Sequence, residues 1–384
     1  MLKVAHCSCI RRVGVTHGLF HIINREPDVI LLQGDMPYVG DSASNYRGIT
    51  TTQAVYNSTQ AQIFAHHQQT WSDKGFRAVT DWRDENHKVY GMLDDHELGG
   101  DNWDYSIPQA NTSPGIGGSS GGIPSQAEVY AHAAVCIAAW QQMAAIYLDN
   151  PANTDSGVAA ELPLSAAGSP TLANFPPLYF RAGHYFDGTP APTGASGDVE
   201  IFTLSCIVHK SPLGTADVYG TKGMLGPTQL AWLKARLLAS TATWKIISST
   251  KKTYKYNTGD NGDTFAFYTA ERDNLLAYIK SNNIKGVVWL TGDWHVPSVI
   301  GTYISRGATY DHADICACPI GTDPLSGGSG SANEIITQFP NRRCYGWSEF
   351  DEDEARFYLY NAQNNRVFWR NTMIPSSNAF VRRT

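Results

Sequence analysis

The sequence predicts an α/β fold, and three observations support that class. Apolar runs typical of buried strands alternate along the chain with segments of helical periodicity. Two of the runs, 28–35 and 285–295, are almost continuously apolar, as in strands covered on both faces of a parallel sheet. No internal repeat or interdomain linker is visible in the 384 residues. We therefore predict one domain, 1–384, with insertions around 104–126 and 150–200.

The individual elements are predicted from apolar patterns and end signals. Strands are expected at 3–9, 28–35, 88–96, 198–208, 244–250 and 285–295. Helices are expected at 53–75, 125–149 and 270–282. A further helix should begin near Pro227, because proline suits the first helical position. Two β-rich runs within 355–370 flank Asn361–Asn365 and predict a hairpin.

Composition and charge exclude several classes of function. Hydrophobic residues make up 42% of the chain and charged residues 17%, which is enough for a sizeable core. The net charge of −6 and the absence of a Lys/Arg run argue against a nucleic-acid partner. No apolar stretch reaches the roughly 18 residues that a membrane span needs. The first residues show no signal peptide, so the chain is expected to be cytoplasmic or the processed form of an exported protein. The sequence indicates no oligomeric state.

The chain contains seven cysteines, an odd and low number for a disulfide framework in a protein of this length. Four of them form two Cys-x-Cys pairs, Cys7/Cys9 and Cys316/Cys318. One hypothesis is a zinc site of four thiolates, although this spacing is tighter than the usual one in zinc sites. The alternative is that they are ordinary buried cysteines, which we favour for Cys7.

Four predicted strands end in side chains that can bind a metal ion. In chain order, these ends carry Cys9, Asp35 with Tyr38, Asp94 to His96, and Asp293 with His295. In parallel α/β sheets, ligands bind beyond the carboxyl ends of the strands, so the four ends can converge. Thiolate, imidazole and carboxylate groups are the ones that hold transition metals. The repeated pattern predicts one shared metal site. The simpler alternatives are helix N-caps for Asp35 and Asp293 and ordinary packing for Tyr38.

The stretch LDDHE at 93–97 crowds three carboxylates around His96. Like charges at this spacing repel one another unless a cation lies among them. We expect that cation to be a metal cluster and not a lysine.

Several motifs resemble those of a known family, the PhoD-like alkaline phosphatases and phosphodiesterases of the metallophosphatase superfamily. QGDMPY (33–38) is similar to the family's Gly-Asp-x-x-Tyr, and LTGDWH (290–295) to its Leu-Thr-Gly-Asp-x-His. LDDHE is similar to its Trp-Asp-Asp-His-Asp/Glu, with Leu93 in place of the tryptophan. HCSC (6–9) and the segment 224–250 resemble its N-terminal Gly-Ser-Cys and its Leu-Gly-x-x-Gln-x-x-Trp-Leu helix with the following strand. The matches run in the expected order from position 6 to about position 296.

The resemblance implies a four-layer αββα sandwich of two mixed β-sheets flanked by helices, the calcineurin-like metallophosphatase fold. It also implies metal-dependent hydrolysis of phosphomonoesters or phosphodiesters at a di- or trinuclear site. The implied cofactors are Fe3+ and a divalent metal, Ca2+ first and Zn2+ or Mn2+ as alternatives. The implied ligands are Cys9 and Tyr38 for the iron, Asp35 as the bridge, and Asp95, Asp293 and His295 to complete the site. His96 would be the catalytic residue beside the leaving group, and the double aspartate leaves Asp94 as an alternative to Asp95.

The expected substrate is a small-molecule phosphate ester. Asn102 is a candidate contact to its phosphate or to a metal. Arg181 is a second candidate for the phosphate, with a salt bridge as the equal alternative. Two other functions are kept open: a metal-dependent hydrolase of another ester or amide bond, and a catalytically silent binding module.

Overall fold

The structure is a computed structural model that describes residues 1–10, 16–37, 59–98, 126–153, 155, 177–211, 214–254, 264–301, 313–322, 324 and 335–381. Its strands are β1 (Leu2–Cys7), β2 (Val29–Gln33), β3 (Lys88–Met92), β4 (Phe180–His184), β5 (Val199–Thr203), β6 (Trp244–Ser249), β7 (Val287–Thr291), β8 (Ser298–Gly301), β9 (Ala313–Cys316), β10 (Ile335–Gln338), β11 (Cys344–Phe350), β12 (Ala355–Asn361), β13 (Val367–Met373) and β14 (Phe380–Val381). Its helices are α1 (Thr16–Ile23), α2 (Gln60–Trp71), α3 (Lys74–Trp82), α4 (Gln126–Tyr147), α5 (Pro227–Ala239) and α6 (Thr269–Ser281).

The strands form two mixed sheets of seven strands each among the described residues. The first sheet has the order β14-β13-β12-β11-β1-β2-β3, with β1, β2 and β3 parallel and the rest antiparallel. The second has the order β10-β8-β9-β7-β6-β5-β4, with a parallel centre of β5, β6, β7 and β9. Each sheet therefore directs a set of parallel strand ends towards one edge, which is where ligands bind in α/β folds.

Three hydrophobic clusters show that the two sheets lie face to face between two layers of helices. One cluster joins residues of both sheets, another packs the first sheet against α1 to α4, and the third packs the second sheet against α5 and α6. Successive side chains of β2 point to opposite faces of the sheet and so contribute to two of these clusters. Val29 and Leu31 face the other sheet, whereas Ile30 and Leu32 face the helices. The predicted four-layer αββα sandwich is confirmed.

The predicted helix at 53–75 is wrong in its extent. Residues 53–58 lie outside the described residues, and the rest of the segment forms α2 and the start of α3, which are separated at Ser72 and Asp73. The Asp73 side chain accepts a hydrogen bond from the amide of Gly75 (2.9 Å) and so begins the new helix. The start of α5 at Pro227 and the C-terminal hairpin of β12 and β13 agree with the predictions.

The predicted insertion at 150–200 needs a similar correction. It contains β4, an edge strand that pairs antiparallel with β5, so this segment is partly built into the second sheet. The predicted insertion at 104–126 lies outside the described residues except at its last position. Within the described ranges, none of the helices combines the length and the apolar character that crossing a membrane requires.

Candidate metal centre

Most of the predicted ligands lie just after the strands, in left-handed backbone conformations. The strands β1, β2 and β7 end two residues before Cys9 (φ 59°), Asp35 (φ 56°) and Asp293 (φ 69°), and His295 follows with φ 52°. Positive φ is uncommon for residues other than glycine, and bulkier side chains there mark tight turns or functional sites. The sharp turns direct these side chains into the space between the ends of the two sheets.

Two glycines allow the turns to approach one another closely. Gly34 has φ +77°, and a Cβ on it would lie 2.4 Å from the Cβ of Asp94. A Cβ on Gly292 would lie 2.6 Å from the Oγ of Ser8, a hydroxyl that accepts a hydrogen bond from the amide of Asp293 (3.0 Å). The Gly-Asp pairs of the sequence are therefore explained by close packing of the strand ends.

The donor atoms form three overlapping groups, each within 4.8 Å across, and Asp35 belongs to all of them. The groups are Cys9 with Asp35 and His295, then Asp35 with Asp95 and His96, and finally Asp35 with Asp94, Asp95 and Asp293. The first has the thiolate, imidazole and carboxylate chemistry of a transition-metal site, and the last has the all-oxygen chemistry preferred by Ca2+ and Mg2+.

The charges of this cluster fit a cationic occupant. Burial and the nearby charges of Cys9, Asp95, Asp94 and Glu97 raise the pKa of Asp35 well above its usual value. Burial alone would also raise the pKa of the Cys9 thiol, but a hydrogen bond with Cys318 and the charge of His295 lower it well below its usual value. A ready thiolate beside crowded carboxylates is the donor set that a bound metal ion would stabilise.

Glu97 connects two turns of the centre by hydrogen bonds and does not belong to any of the three donor groups. Its buried carboxylate accepts hydrogen bonds from the amides of Asp35 (3.0 Å), Met36 (2.6 Å) and Asp94 (2.8 Å). Burial raises its pKa to about 7 in spite of these bonds. The carboxylate thus ties the turn after β2 to the turn after β3 and fixes the distance between Asp35 and Asp95.

A lysine lies among the carboxylates, which corrects the expectation that metal alone neutralises them. The Nζ of Lys251, two residues beyond β6, is 3.0 Å from Asp94 Oδ2, 3.0 Å from Asp293 Oδ1 and 3.8 Å from Asp95 Oδ1. The lysine side chain is 0% exposed. A fifth strand end, that of β6, therefore contributes to the centre.

Three of the four cysteines of the two Cys-x-Cys pairs lie together. Cys9 packs with Cys316 and Cys318, whereas Cys7 belongs to the cluster beneath the first sheet. The Sγ of Cys318 accepts a hydrogen bond from the amide of His295 (3.0 Å) and so supports a ligand. The hypothesis of a zinc site with four thiolates is therefore wrong, because Cys7 faces away from the other three.

The two histidines of the centre are held differently. Thr322 Oγ1 lies 3.2 Å from Nε2 of His295 and fixes the orientation of that ring. The amide of His96 donates to Asp95 Oδ1 (2.9 Å) at the start of a short 3-10 helix, His96–Leu98. His96 is partly exposed, unlike the buried Asp94 and Asp95 that precede it.

Two predicted contacts are not placed, and a third lies elsewhere. Tyr38 and Asn102 fall outside the described residues. Arg181, in β4, uses its Nε and Nη2 on Asp155 and its Nη1 on Glu200 (2.6 Å). The structure therefore supports the salt-bridge alternative for Arg181 and not the predicted contact with phosphate.

The sequence reasoning missed Lys251, Glu97 and Thr322. The rule that strand ends converge would have found Lys251, because it follows the apolar strand WKIISS (244–249). The prediction for those ends names metal donors and no cationic side chain. Thr322 had no local signal, since it reaches His295 from a distant segment.

Two sequence comparisons bear on the family. The family model described as PhoD-like phosphatase matches residues 209–364. Alkaline phosphatase D of Bacillus subtilis (strain 168) is 32% identical over 120 residues, a segment that spans 30% of this chain and 20% of that protein. The match thus covers about a fifth of the length of the curated relative.

Solved structures agree with the fold. A structure of PhoD superposes with a TM-score of 0.66 at 18% identity, covering 100% of this chain and 72% of that one. The purple acid phosphatase PPD1 from yellow lupin gives a TM-score of 0.56 at 10% identity, covering 97% of this chain and 53% of that one. Residues 209–364 thus match the PhoD-like phosphatase model, and a shorter segment resembles a curated alkaline phosphatase D, while the solved structures share the fold.

Proposed function

We propose that the protein hydrolyses phosphate esters, either monoesters or diesters, with the help of bound metal ions. The observation that carries this proposal is the meeting of Cys9, Asp35 and His295 with Asp95 and His96 at strand ends of both sheets. The phosphoryl-transfer transition state needs positioning and stabilisation of charge more than covalent chemistry, and a rigid cluster of this kind suits that need. The expected substrate is a small phosphate ester.

The proposed ligands divide by chemistry. Cys9, Asp35 and His295, with Tyr38, would hold Fe3+, because thiolate and phenolate suit a trivalent transition metal. Asp35 would bridge to a divalent ion, Ca2+ first and Zn2+ or Mn2+ as alternatives, on Asp95 and Asp293. When bound, the metal ions supply Lewis acidity, which makes the attacking water more acidic and offsets charge on the phosphoryl oxygens.

His96 is proposed as the catalytic residue. Its ring belongs to the donor group of Asp35 and Asp95 and is partly exposed, so a leaving oxygen could accept a proton or a hydrogen bond from the imidazole. Asn102, which lies outside the described residues, is proposed to contact the phosphate or a metal ion.

The test is hydrolysis of p-nitrophenyl phosphate and bis(p-nitrophenyl) phosphate by purified protein, before and after chelation, with elemental analysis of the same samples. We expect p-nitrophenol release that is lost with the metal and restored by adding it back. Hydrolysis of only carboxylic esters or amides would favour another hydrolase, and no turnover by the metal-loaded protein would favour a binding module.

The iron assignment has its own readout. Ferric iron bound by a thiolate or phenolate should give a visible absorption band, and Cys9→Ser should shift or abolish it. Cys136→Ser is the matched control, because Cys136 is buried in α4 beside His132, away from the cluster. Full activity in a colourless, iron-free protein would contradict the assignment.

A further inference from the structure

Lys251 occupies the position that a further cation would take in the carboxylate group. It contacts Asp94, Asp95 and Asp293, which are three of the four members of the all-oxygen group. Carboxylate oxygens bind Ca2+ at roughly 2.3–2.6 Å, close to where this ammonium now lies. An ammonium and a divalent ion cannot share so small a space, because they repel one another and compete for the same oxygens.

The surroundings fix the ammonium in place. The side chains of Lys251 and Asp94 are both 0% exposed, and a buried charge without its partner is strongly destabilising. Asp94 also accepts a hydrogen bond from Thr250 Oγ1 (3.2 Å), so the residue before the lysine holds the same carboxylate. Asp94 is thus engaged by two side chains at the end of β6, whereas Asp95 lies on the side of His96.

We propose that Lys251 is the built-in third cation of the centre, so that the chain binds two metal ions and cannot bind a third. One ion would lie on Cys9, Asp35 and His295, and the second between Asp35 and Asp95. Asp94 is then a partner of the lysine, and Asp293 shares the ammonium through Oδ1 while its Oδ2 can serve a metal. The inference rests on the proposed function for the identity of the two metal positions.

Formal charge supports the count of ions. The charges of a trivalent ion, a divalent ion and one ammonium already exceed those of the thiolate and the four carboxylates of the cluster. A third divalent ion would leave the buried centre with excess positive charge, which is costly in a site of low polarity. Two metal ions with a fixed lysine therefore satisfy both the space and the charge.

The test is the number of metal ions per chain, measured by elemental analysis and by calorimetric titration of metal-stripped protein with FeCl3 and CaCl2. We expect two ions in the wild type and a third ion, Ca2+, in Lys251→Met. This substitution removes the charge and keeps a side chain of similar length. The matched control is Lys252→Met: Lys252 is also buried, but its Nζ lies 3.4 Å from the ring centre of Trp294. This control should keep two ions.

Either of two results would overturn the proposal: three ions in the wild type, or no additional Ca2+ site in a folded Lys251→Met. If Lys251→Met does not fold, the wild-type count decides alone. A wild type that hydrolyses phosphate esters with three ions would reject this inference and keep the proposed function. A wild type that binds two ions and turns over no phosphate ester would do the reverse.

Discussion

The two sides of the centre solve the same electrostatic problem in different ways. On the thiolate side (Cys9, Asp35 and His295) the donors are of three chemical types, and the charge of His295 helps to lower the pKa of the Cys9 thiol. On the lysine side, Asp94 and Asp293 share one ammonium, that of Lys251, at 3.0 Å from each. The difference is that the thiolate side has the mixed donors typical of a transition-metal site, whereas the carboxylates of the lysine side already have a cationic partner within the chain.

The largest effect should come from the residue that belongs to every donor group. Asp35→Asn removes the bridging charge and should abolish both metal binding and measurable hydrolysis, because neither metal position is complete without it. Elemental analysis and p-nitrophenyl phosphate turnover measure the two losses. Asp155→Asn, which alters the ion pairs of Arg181, is the control and should keep activity. Metal retention on one side only would show that Asp35 is not a bridge.

His96→Ala should lower kcat about 10²–10⁴-fold, the usual contribution of a general acid, with both metal ions retained. The pairing of activity with metal content is the informative measurement. If the variant loses the ion on Asp95, His96 is a ligand, and its role as proton donor is wrong.

Substitution of one threonine on each side of the centre should have smaller effects, on metal affinity for one side and on stability for the other. Thr322→Val removes the partner of His295 and should lower the affinity of the thiolate side for metal about 10–100-fold, as seen for residues that orient ligands. Thr250→Val removes the hydrogen bond to Asp94 and should cost about 1.5–3 kcal/mol of stability. Its iron content should not change. Metal titration measures the affinity of both variants, and thermal unfolding measures their stability. Equal losses of iron affinity in the two variants would contradict the prediction.

The last effect concerns the pH dependence of the fold away from both sides, where neither metal binding nor activity should change. Burial raises the pKa of Glu271 to about 7, although it accepts hydrogen bonds from the amides of Met224 and Leu225. Its folded pKa is above the ordinary glutamate pKa of 4.5, so its stability contribution is complete below pH 4.5 and is lost as pH rises to about 7. Glu271→Gln should remove this loss, up to about 3 kcal/mol at pH 7.

Chemical unfolding of the metal-free proteins at pH 4.5 and pH 7.5 measures the effect of Glu271→Gln. Part of the decline should persist in the variant, because Glu97 also has a pKa of about 7. An unchanged decline would show that Glu271 does not titrate in this range.

The sequence located the ends of the strands better than the contacts between them. Cys9, Asp35, Asp293 and His295 were predicted because apolar strands and the residues that follow them can be read locally. Lys251 was missed because its role depends on a long side chain that reaches across to the turn after β3, in the other sheet. Arg181 shows the same limit, since its partner Asp155 lies in a polar segment without a readable pattern.

The left-handed conformation of Cys9 is unfavourable for the stability of the fold, but it places the thiolate that we propose as a metal ligand. Aspartate and histidine tolerate positive φ comparatively well, but a cysteine there carries a steric conflict of about 1–2 kcal/mol. Glycine would relieve that conflict and would remove the thiolate as well. Selection for thermal stability in the absence of metal should therefore favour loss of the thiolate that we propose as an iron ligand, and engineering should select on the metal-loaded protein.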